Sequence, residues 1–579
     1  MLRATAALAL LLAAGAASAA DELPRLEFEK YTLPNGLDVI LHEDHTIPMV
    51  AVNVWYHVGS KNEKPGRTGF AHLFEHMMFQ GSANHDTDYF LPLQKVGGQV
   101  NGSTNKDRTN YWENVPADQV ELALWLEADR MGGLVAAMTQ EKLDNQRDVV
   151  KNEKRQGENQ PYAKADELML PLLYPAGHPY AHTVIGSMDD LSAASVEDVS
   201  EFFNLYYAPN NASLCVAGDF DPAAVKAMIE KYFATIAPGR PVDRIERWLP
   251  VLDGERRAVA EDAVELPRLT MAWHSPAWYQ PGDAELDLLG DILASGKTSR
   301  LYKALVYDRQ IAQDVRASQE SREMGGTFTI EVTAAPGHDL PEVEAAVDAE
   351  LARLLDKGVE IGEVDLAKTR YEASFVRGLQ RVGGFGGKAD RLNRYNVFTG
   401  DPGYLERDLE RYRKATPREI SAYARRFLDP GRRAVLHIVP QGGLAASDTP
   451  VDRAVMPGPG APVAFAPPVV QTATLANGLE IYLVEKHDLP LVDVRIDVLS
   501  GWSADPAGRP GTAALTADLL DEGAGKLDAL AIAAKAEALG ARLSTRSSFD
   551  GSSASLDVLR GNLDAGLDLL ADVVIRPAF

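Results

Sequence analysis

The chain has 579 residues, 45% hydrophobic and 24% charged, a balance too apolar for a disordered chain and too polar for one that crosses a membrane many times. Lys and Arg total 58 against 83 Asp and Glu, a formal charge of −25 at pH 7; that sign repels phosphate backbones and argues against a nucleic-acid partner. The single cysteine, Cys215, excludes a disulfide framework and any zinc site built from thiolates.

Residues 1–20 read as a secretory signal peptide. Arg3 precedes an apolar run from Ala4 to Ala17, and Ala17-Ser18-Ala19 has the small-x-small form of a cleavage site. The run is shorter than the ~20 apolar residues that a span needs. No other candidate span follows, so the mature chain is expected to be exported, to the periplasm, with no transmembrane span.

Beyond it, the polarity pattern predicts strands at 37–42, 50–58, 98–104 and 212–217 and helices at 68–79, 117–135, 139–158 and 195–206. Several strands precede the long helices, which points to an α+β fold rather than strict βαβ alternation. A break near Ala237-Pro238-Gly239 and Leu249-Pro250 divides a first domain, 21–240, from a second, 241–448. Residues 449–468, with Pro457-Gly458-Pro459-Gly460, read as a linker. From 469 to 579 the chain repeats its beginning. Asn35-Gly36-Leu37 returns as Asn477-Gly478-Leu479, and the same offset of 442 carries Glu43 to Glu485, Pro48 to Pro490, Gly59 to Gly501, Gly69 to Gly511 and Gly98 to Gly540. Residues that fix turns stay in register, so the two segments are expected to share a backbone path. Phe579 maps to position 137 of the first copy, so the second copy is expected to be partial and the chain a fragment of a longer one.

The chemistry concentrates in the predicted helix 68–79. His72 and His76 are four apart and lie one above the other on a helix face, suited to a single metal ion, with Glu75 projecting beside them. Phe70, Leu73, Phe74 and Met77 form the remaining face, available to pin the helix to a core. A catalytic zinc takes three protein ligands and leaves one position open. The third ligand must come from another element, and spacing alone leaves Asp148, Glu153 and Glu158 as alternatives.

His72-x-x-Glu75-His76 is the inverted zinc signature. Together with Asn101-Gly102-Ser103-Thr104, Arg147-Asp148-Val149-Val150-x-x-Glu153, His178-Pro179-Tyr180, Gly218-Asp219-Phe220 and Ser299-Arg300-Leu301, it makes the sequence resemble the insulinase/pitrilysin family of zinc peptidases, which includes the mitochondrial processing peptidases. The resemblance covers nearly the whole mature chain. It implies repeated α+β domains of mainly antiparallel sheet flanked by helices, in two homologous halves that close as a clamshell, and one Zn2+ per chain. It places the third ligand 77 positions after the second histidine, at Glu153. Where the family often has a glutamate seven positions earlier, this chain has Gln146, which can hydrogen-bond a ligand or water but brings no charge.

In such a site Glu75 is the general base that takes the proton of a zinc-activated water. The expected activity is hydrolysis of peptides or unfolded segments, with Asn101, Gly102, Ser103 and Thr104 on an edge strand that seats peptide substrates through backbone hydrogen bonds. The alternative is a non-proteolytic binding or assembly subunit of the same fold. In the repeat, the three site residues become Ala514, Ala517 and Asp518, so that half cannot hold the metal, and pairing of the active half with a second peptidase-like half, as a homo- or heterodimer, is expected. His42, His45, His57 and His85 are read as surface or strand-end residues, Glu127, Asp129 and Arg130 as helix-surface pairing, and Cys215 as a buried small hydrophobe. Gly383-Gly384-x-Gly386-Gly387 lacks the Lys-Ser or Lys-Thr of a phosphate loop; the resemblance leaves it a weak substrate role.

Overall fold

The structure is a computed structural model that describes residues 25–441, 469–487 and 489–579. The expected signal peptide and linker lie outside the described residues.

The first unit is built on six strands: β1 (Glu29–Thr32), β2 (Asp38–Glu43), β3 (Met49–Tyr56), β4 (Gln99–Thr104), β5 (Thr109–Pro116) and β6 (Ala212–Gly218), in the order β1-β2-β6-β3-β5-β4. Only β2 and β6 run parallel; the other neighbours are antiparallel. The helices on one face include α1 (Phe70–Met77), α2 (Val120–Ala137), α3 (Gln140–Glu158) and α4 (Pro222–Phe233), with the helix Val196–Tyr206 among them. Val52, Val54, Tyr111 and Val115 from the strands meet Phe74, Leu124, Leu143, Val150 and Phe233 in the core. Every residue of β6 is buried, because both faces of the sheet are covered.

The second unit has five strands, β7 (Arg256–Asp262), β8 (Arg268–Ser275), β9 (Ala312–Glu320), β10 (Gly326–Ala334) and β11 (Ala434–Pro440), in the order β7-β11-β8-β10-β9. Two of its helices matter here, α5 (Ile361–Gly378) and α6 (Lys388–Thr399). It is α6 that covers the second face of the first sheet. Ala389 and Leu392 pack on Ile40, Ala51, Cys215 and Ala217, and Asp390, Asn393 and Asn396, three apart on one face of the helix, reach the strands by hydrogen bonds. Asn393 donates to the Asn53 carbonyl at 2.9 Å and Asn396 to the Asp38 carboxylate at 3.0 Å.

The third unit carries β12 (Val470–Thr474) paired with β13 (Glu480–Val484), and a three-stranded sheet of β14 (Leu491–Val498), β15 (Arg542–Ser547) and β16 (Ser552–Leu559). Its helices include α7 (Thr512–Leu519) and α8 (Ala529–Ala538). β14 and α7 are β3 and α1 displaced by 442 residues, whereas β15 and β16 are β4 and β5 displaced by 443. The register therefore slips by one between them, and Gly540 (φ 60°) is the counterpart of Gly97 (φ 77°) rather than of Gly98. The unit docks on α5, where Arg370 pairs with Glu537 at 2.6 Å and Arg377 donates to the Gly540 carbonyl at 2.6 Å. The whole is an α+β molecule of mainly antiparallel sheets flanked by helices. Among the described residues, no helix is long and apolar enough to cross a membrane.

Candidate metal centre and active site

The start of α1 is fixed by Gly69, whose φ of 89° is left-handed and whose position would set a Cβ 2.6 Å from the Ile185 carbonyl oxygen. The Glu63 carboxylate accepts from the first amides of the helix, Gly69 N at 2.9 Å and Ala71 N at 2.7 Å, which satisfies donors that have no partner within the helix. Phe70, Leu73, Phe74 and Met77 are buried, and Phe74 stacks on Phe202 and Tyr207 with ring centroids 5.3 and 5.4 Å away. That anchoring turns His72, Glu75 and His76 the other way, toward α3. Thr139 caps α3, accepting from Lys142 N at 3.2 Å, and burial of Leu143 and Val150 sets its rotation.

Glu153 on α3 then meets both histidines. Its Oε2 lies 3.3 Å from His76 Nε2 and 3.8 Å from His72 Nε2. The two imidazoles are 4.8 Å apart, nearly perpendicular at 84°, and one donor atom from each of the three residues falls within 4.8 Å of the others. A tetrahedral ion with ligands at ~2.0–2.2 Å separates its donors by about 3.3 Å, so this set fits zinc with little movement. Burial holds the His72 ring down at about 4, helped by the nearby His76. Burial also lowers His76, against the pull of Glu153 and Gln146. Both rings are thus neutral near pH 7 with a lone pair to give. The Nδ1 of His72 is buried with no hydrogen-bond partner among the described residues. Gln146, itself buried, stands two turns before Glu153 on the same face of α3, near enough to His76 to pull its ring upward.

Glu75 points beside this trio. Burial pushes its carboxyl up to about 7, opposed by the Thr104 hydroxyl and amide and by Arg108, while Glu153 pushes it further up. The strand above it is β4, which among the described residues is the edge of the sheet, paired on one side only, with β5. Gly102 allows that strand to come down on the site, since a Cβ there would sit 3.2 Å from Glu75 Cγ and 3.0 Å from the Tyr111 ring. The four expected peptide-contact residues divide by the strand's alternation. Gly102 and Thr104 are on the Glu75 side; Asn101 and Ser103 are on the side that faces α6.

Sequence reasoning missed Glu63 and Arg108. Glu63 carries no motif, but a counterpart exists in the repeat, where Asp505 accepts from Gly511 N at 2.6 Å and Ala513 N at 2.8 Å. Arg108 donates from Nη1 to the Ser103 carbonyl at 2.6 Å and hydroxyl at 2.7 Å, which nothing in its spacing announces. His42 and His57 stand at strand ends, as expected, at the close of β2 and just past β3: His42 is buried with Nδ1 on the Glu27 carbonyl at 2.6 Å, and His57 meets Glu323 at 2.8 Å. Glu127 and Arg130 differ from expectation and are not helix-surface pairing; their side chains are 0% exposed, because α2 at that point is enclosed by the sheet and by Tyr89 and Phe79. Cys215 is buried, as expected.

Comparison with known proteins adds a family to this geometry. The profile described as "Insulinase (Peptidase family M16)" matches residues 38–178 and again 481–579, so both copies of the repeat carry it. "Peptidase M16 inactive domain" matches 193–371. The chain is 29% identical over 378 residues to the zinc protease PqqE of Helicobacter pylori, across 64% of this chain and 84% of that relative. It is similar to the crystal structure of a protease from Helicobacter pylori, with TM-score 0.66, 26% identity and 72% of this chain aligned to 100% of that one. The periplasmic protease PqqL of Escherichia coli shares the fold over 96% of this chain and 67% of its own, with TM-score 0.60 and 17% identity. The profile matches, the zinc-protease relatives and the shared fold together establish that the chain belongs to the insulinase (M16) peptidase family.

Proposed function

We propose that the chain is a zinc-dependent endopeptidase that hydrolyses peptides or unfolded protein segments. The observation that carries this reading is the meeting of His72, His76 and Glu153 with their donor atoms within 4.8 Å, and of Glu75 beside them under an edge strand. His72, His76 and Glu153 hold one Zn2+. Zinc supplies Lewis-acid polarisation of the scissile carbonyl and makes a water there easier to deprotonate. Glu75, which is not a ligand, accepts that water's proton and returns it to the leaving amine. The peptide lies along β4 as an added strand; backbone groups of Asn101 to Thr104 hold it in register, with little demand on its side chains. Gln146 gives the site a neutral polar neighbour, able to hydrogen-bond a ligand or water without adding charge.

The signal-like start, residues 1–20, supports a periplasmic site of action. The first half of PqqL aligns over 93% of its length to 72% of this chain, the same share of this chain that the whole Helicobacter protease takes, so that relative is the length of one half. This supports action with a second peptidase-like half, in a homo- or heterodimer, that encloses the peptide. The test is mass spectrometry of a mixed pool of unstructured peptides after incubation with the chain, alone, with chelator, and as Glu75→Gln. Cleavage that vanishes in both controls is expected. A chain that binds zinc and leaves every peptide intact would instead be a binding or assembly subunit.

A further inference from the structure

Asp390 belongs to α6 of the second unit, yet its carboxylate serves the first sheet. Trp55 Nε1 donates to Asp390 Oδ1 at 2.8 Å and Asn110 Nδ2 donates to the same oxygen at 2.9 Å. Its other oxygen, Oδ2, accepts the backbone N–H of Gly386 at 2.8 Å. Asn110 passes the connection on, because its Oδ1 accepts the Ser103 hydroxyl at 2.7 Å. Ser103 lies directly across from Asn110 in the β4–β5 ladder, and Arg108 holds it from the other side. One carboxylate thus ties the loop 383–387 of the second unit to the edge strand of the first through directional bonds, which fix position where apolar packing would permit sliding.

What the tie positions is visible from strand geometry. A peptide added to β4 alternates its side chains between the Glu75 face and the face of Asn101 and Ser103. On that second face stands Phe385, at the tip of the loop and 38% exposed. Its ring is 5.6 Å, centroid to centroid, from Trp112, the cross-strand partner of Asn101.

We propose that Asp390 is a positioning residue for peptide binding: it sets the relation between β4 and the 383–387 loop, and through it the affinity for an extended chain. The inference rests on the reading above only in taking β4 as the peptide's seat. It is tested in the full chain carrying Glu75→Gln, loaded with zinc, by fluorescence anisotropy with fluorescein-labelled casein as the unstructured probe. Asp390→Asn and Ser103→Ala are each expected to weaken binding by about fivefold, with zinc content unchanged. The double variant is expected to be no weaker than the weaker single one, because both cut the same relay. In the chain with Glu75 intact, the same changes raise KM and leave kcat. Unchanged affinity in either single variant, additive losses in the double one, or no binding of the probe by the parent would overturn the proposal. Failure of the peptidase reading looks different: the parent would bind the probe and respond to both variants, while the zinc-loaded chain with Glu75 left it uncut.

Discussion

Arg130 sits in the core of the first unit with its guanidinium 4.3 Å from the ring centroids of both Tyr89 and Tyr111. It donates to Glu127 within α2 and, at 3.1 Å, to Glu113 on β5. All three charged side chains are fully buried, and burial with the Glu127 charge pushes the Glu113 carboxyl well up. Tyr111, one of the rings that flank the cation, is also the ring on which Gly102 of the edge strand rests, so the charge cluster supports the floor of the site. Breaking a buried pair leaves an uncompensated charge, at a cost of about 3–5 kcal/mol. Arg130→Met should lower stability by that amount in urea unfolding, and adding Glu113→Gln with Glu127→Leu should recover most of it. A loss below about 1 kcal/mol for Arg130→Met would show that the cluster contributes no more than a surface pair.

At the scale of elements, the histidine helix depends on how its first turn is closed. Glu63 supplies both acceptors, from outside the helix and with its side chain fully buried. Glu63→Ala leaves two buried amides without a partner, and caps of this kind contribute about 1–2 kcal/mol. The expected result is a loss of that size in thermal or urea unfolding and weaker zinc binding, since His72 lies in the loosened turn. Unchanged zinc affinity would mean that the aromatic anchoring of Phe74 alone holds the helix. This device also shows what the sequence made legible. The four strands and four helices read from polarity in the first unit lie where they were expected, to within a few residues, because amphipathic periodicity is local. The candidate metal trio was legible in two parts: His72 and His76 by spacing, Glu153 only by resemblance, since the approach of α3 to α1 is a tertiary fact. Long-range polar contacts such as Glu63, Arg108 and Asp390 were invisible because each pairs residues that no periodicity relates. The buried Glu127–Arg130 pair was misread for the same reason. Charges three apart on a helix signal a solvated face unless the whole helix is enclosed.

At the scale of the molecule, the first two units are joined by polar contacts as well as by α6. Glu323, in the turn between β9 and β10, accepts from His57 at 2.8 Å and from Lys61, while its own N–H donates to Asp107 at 3.0 Å. Tyr180 ties the same turn, donating to Asp107 at 2.5 Å and accepting from Met324 N at 3.1 Å. Burial works to raise the Glu323 carboxyl, but His57 and Lys61 outweigh it and hold it at about 2, below its ordinary 4.5. A depressed carboxyl contributes stability that is complete above the unfolded value and is lost as pH falls from about 4.5 toward 2. Amide protection in the segments 57–61 and 321–325, corrected for intrinsic exchange, should therefore drop between about pH 5 and pH 3. Glu323→Gln should begin lower at neutral pH and change less over that window. Equal protection at both ends in the wild type would remove Glu323 from the joint's energetics.

The central claim is that three side chains hold the metal and a fourth does the proton chemistry. The most direct measurement is zinc content per chain by mass spectrometry, paired with peptide cleavage, for the wild type, His72→Ala, Glu153→Ala and Glu75→Gln. Expected are one zinc and cleavage in the wild type, neither in the two ligand variants, and a full zinc with no cleavage in Glu75→Gln. Zinc lost from Glu75→Gln, or cleavage retained by it, would contradict the assignment of Glu75 as base rather than ligand.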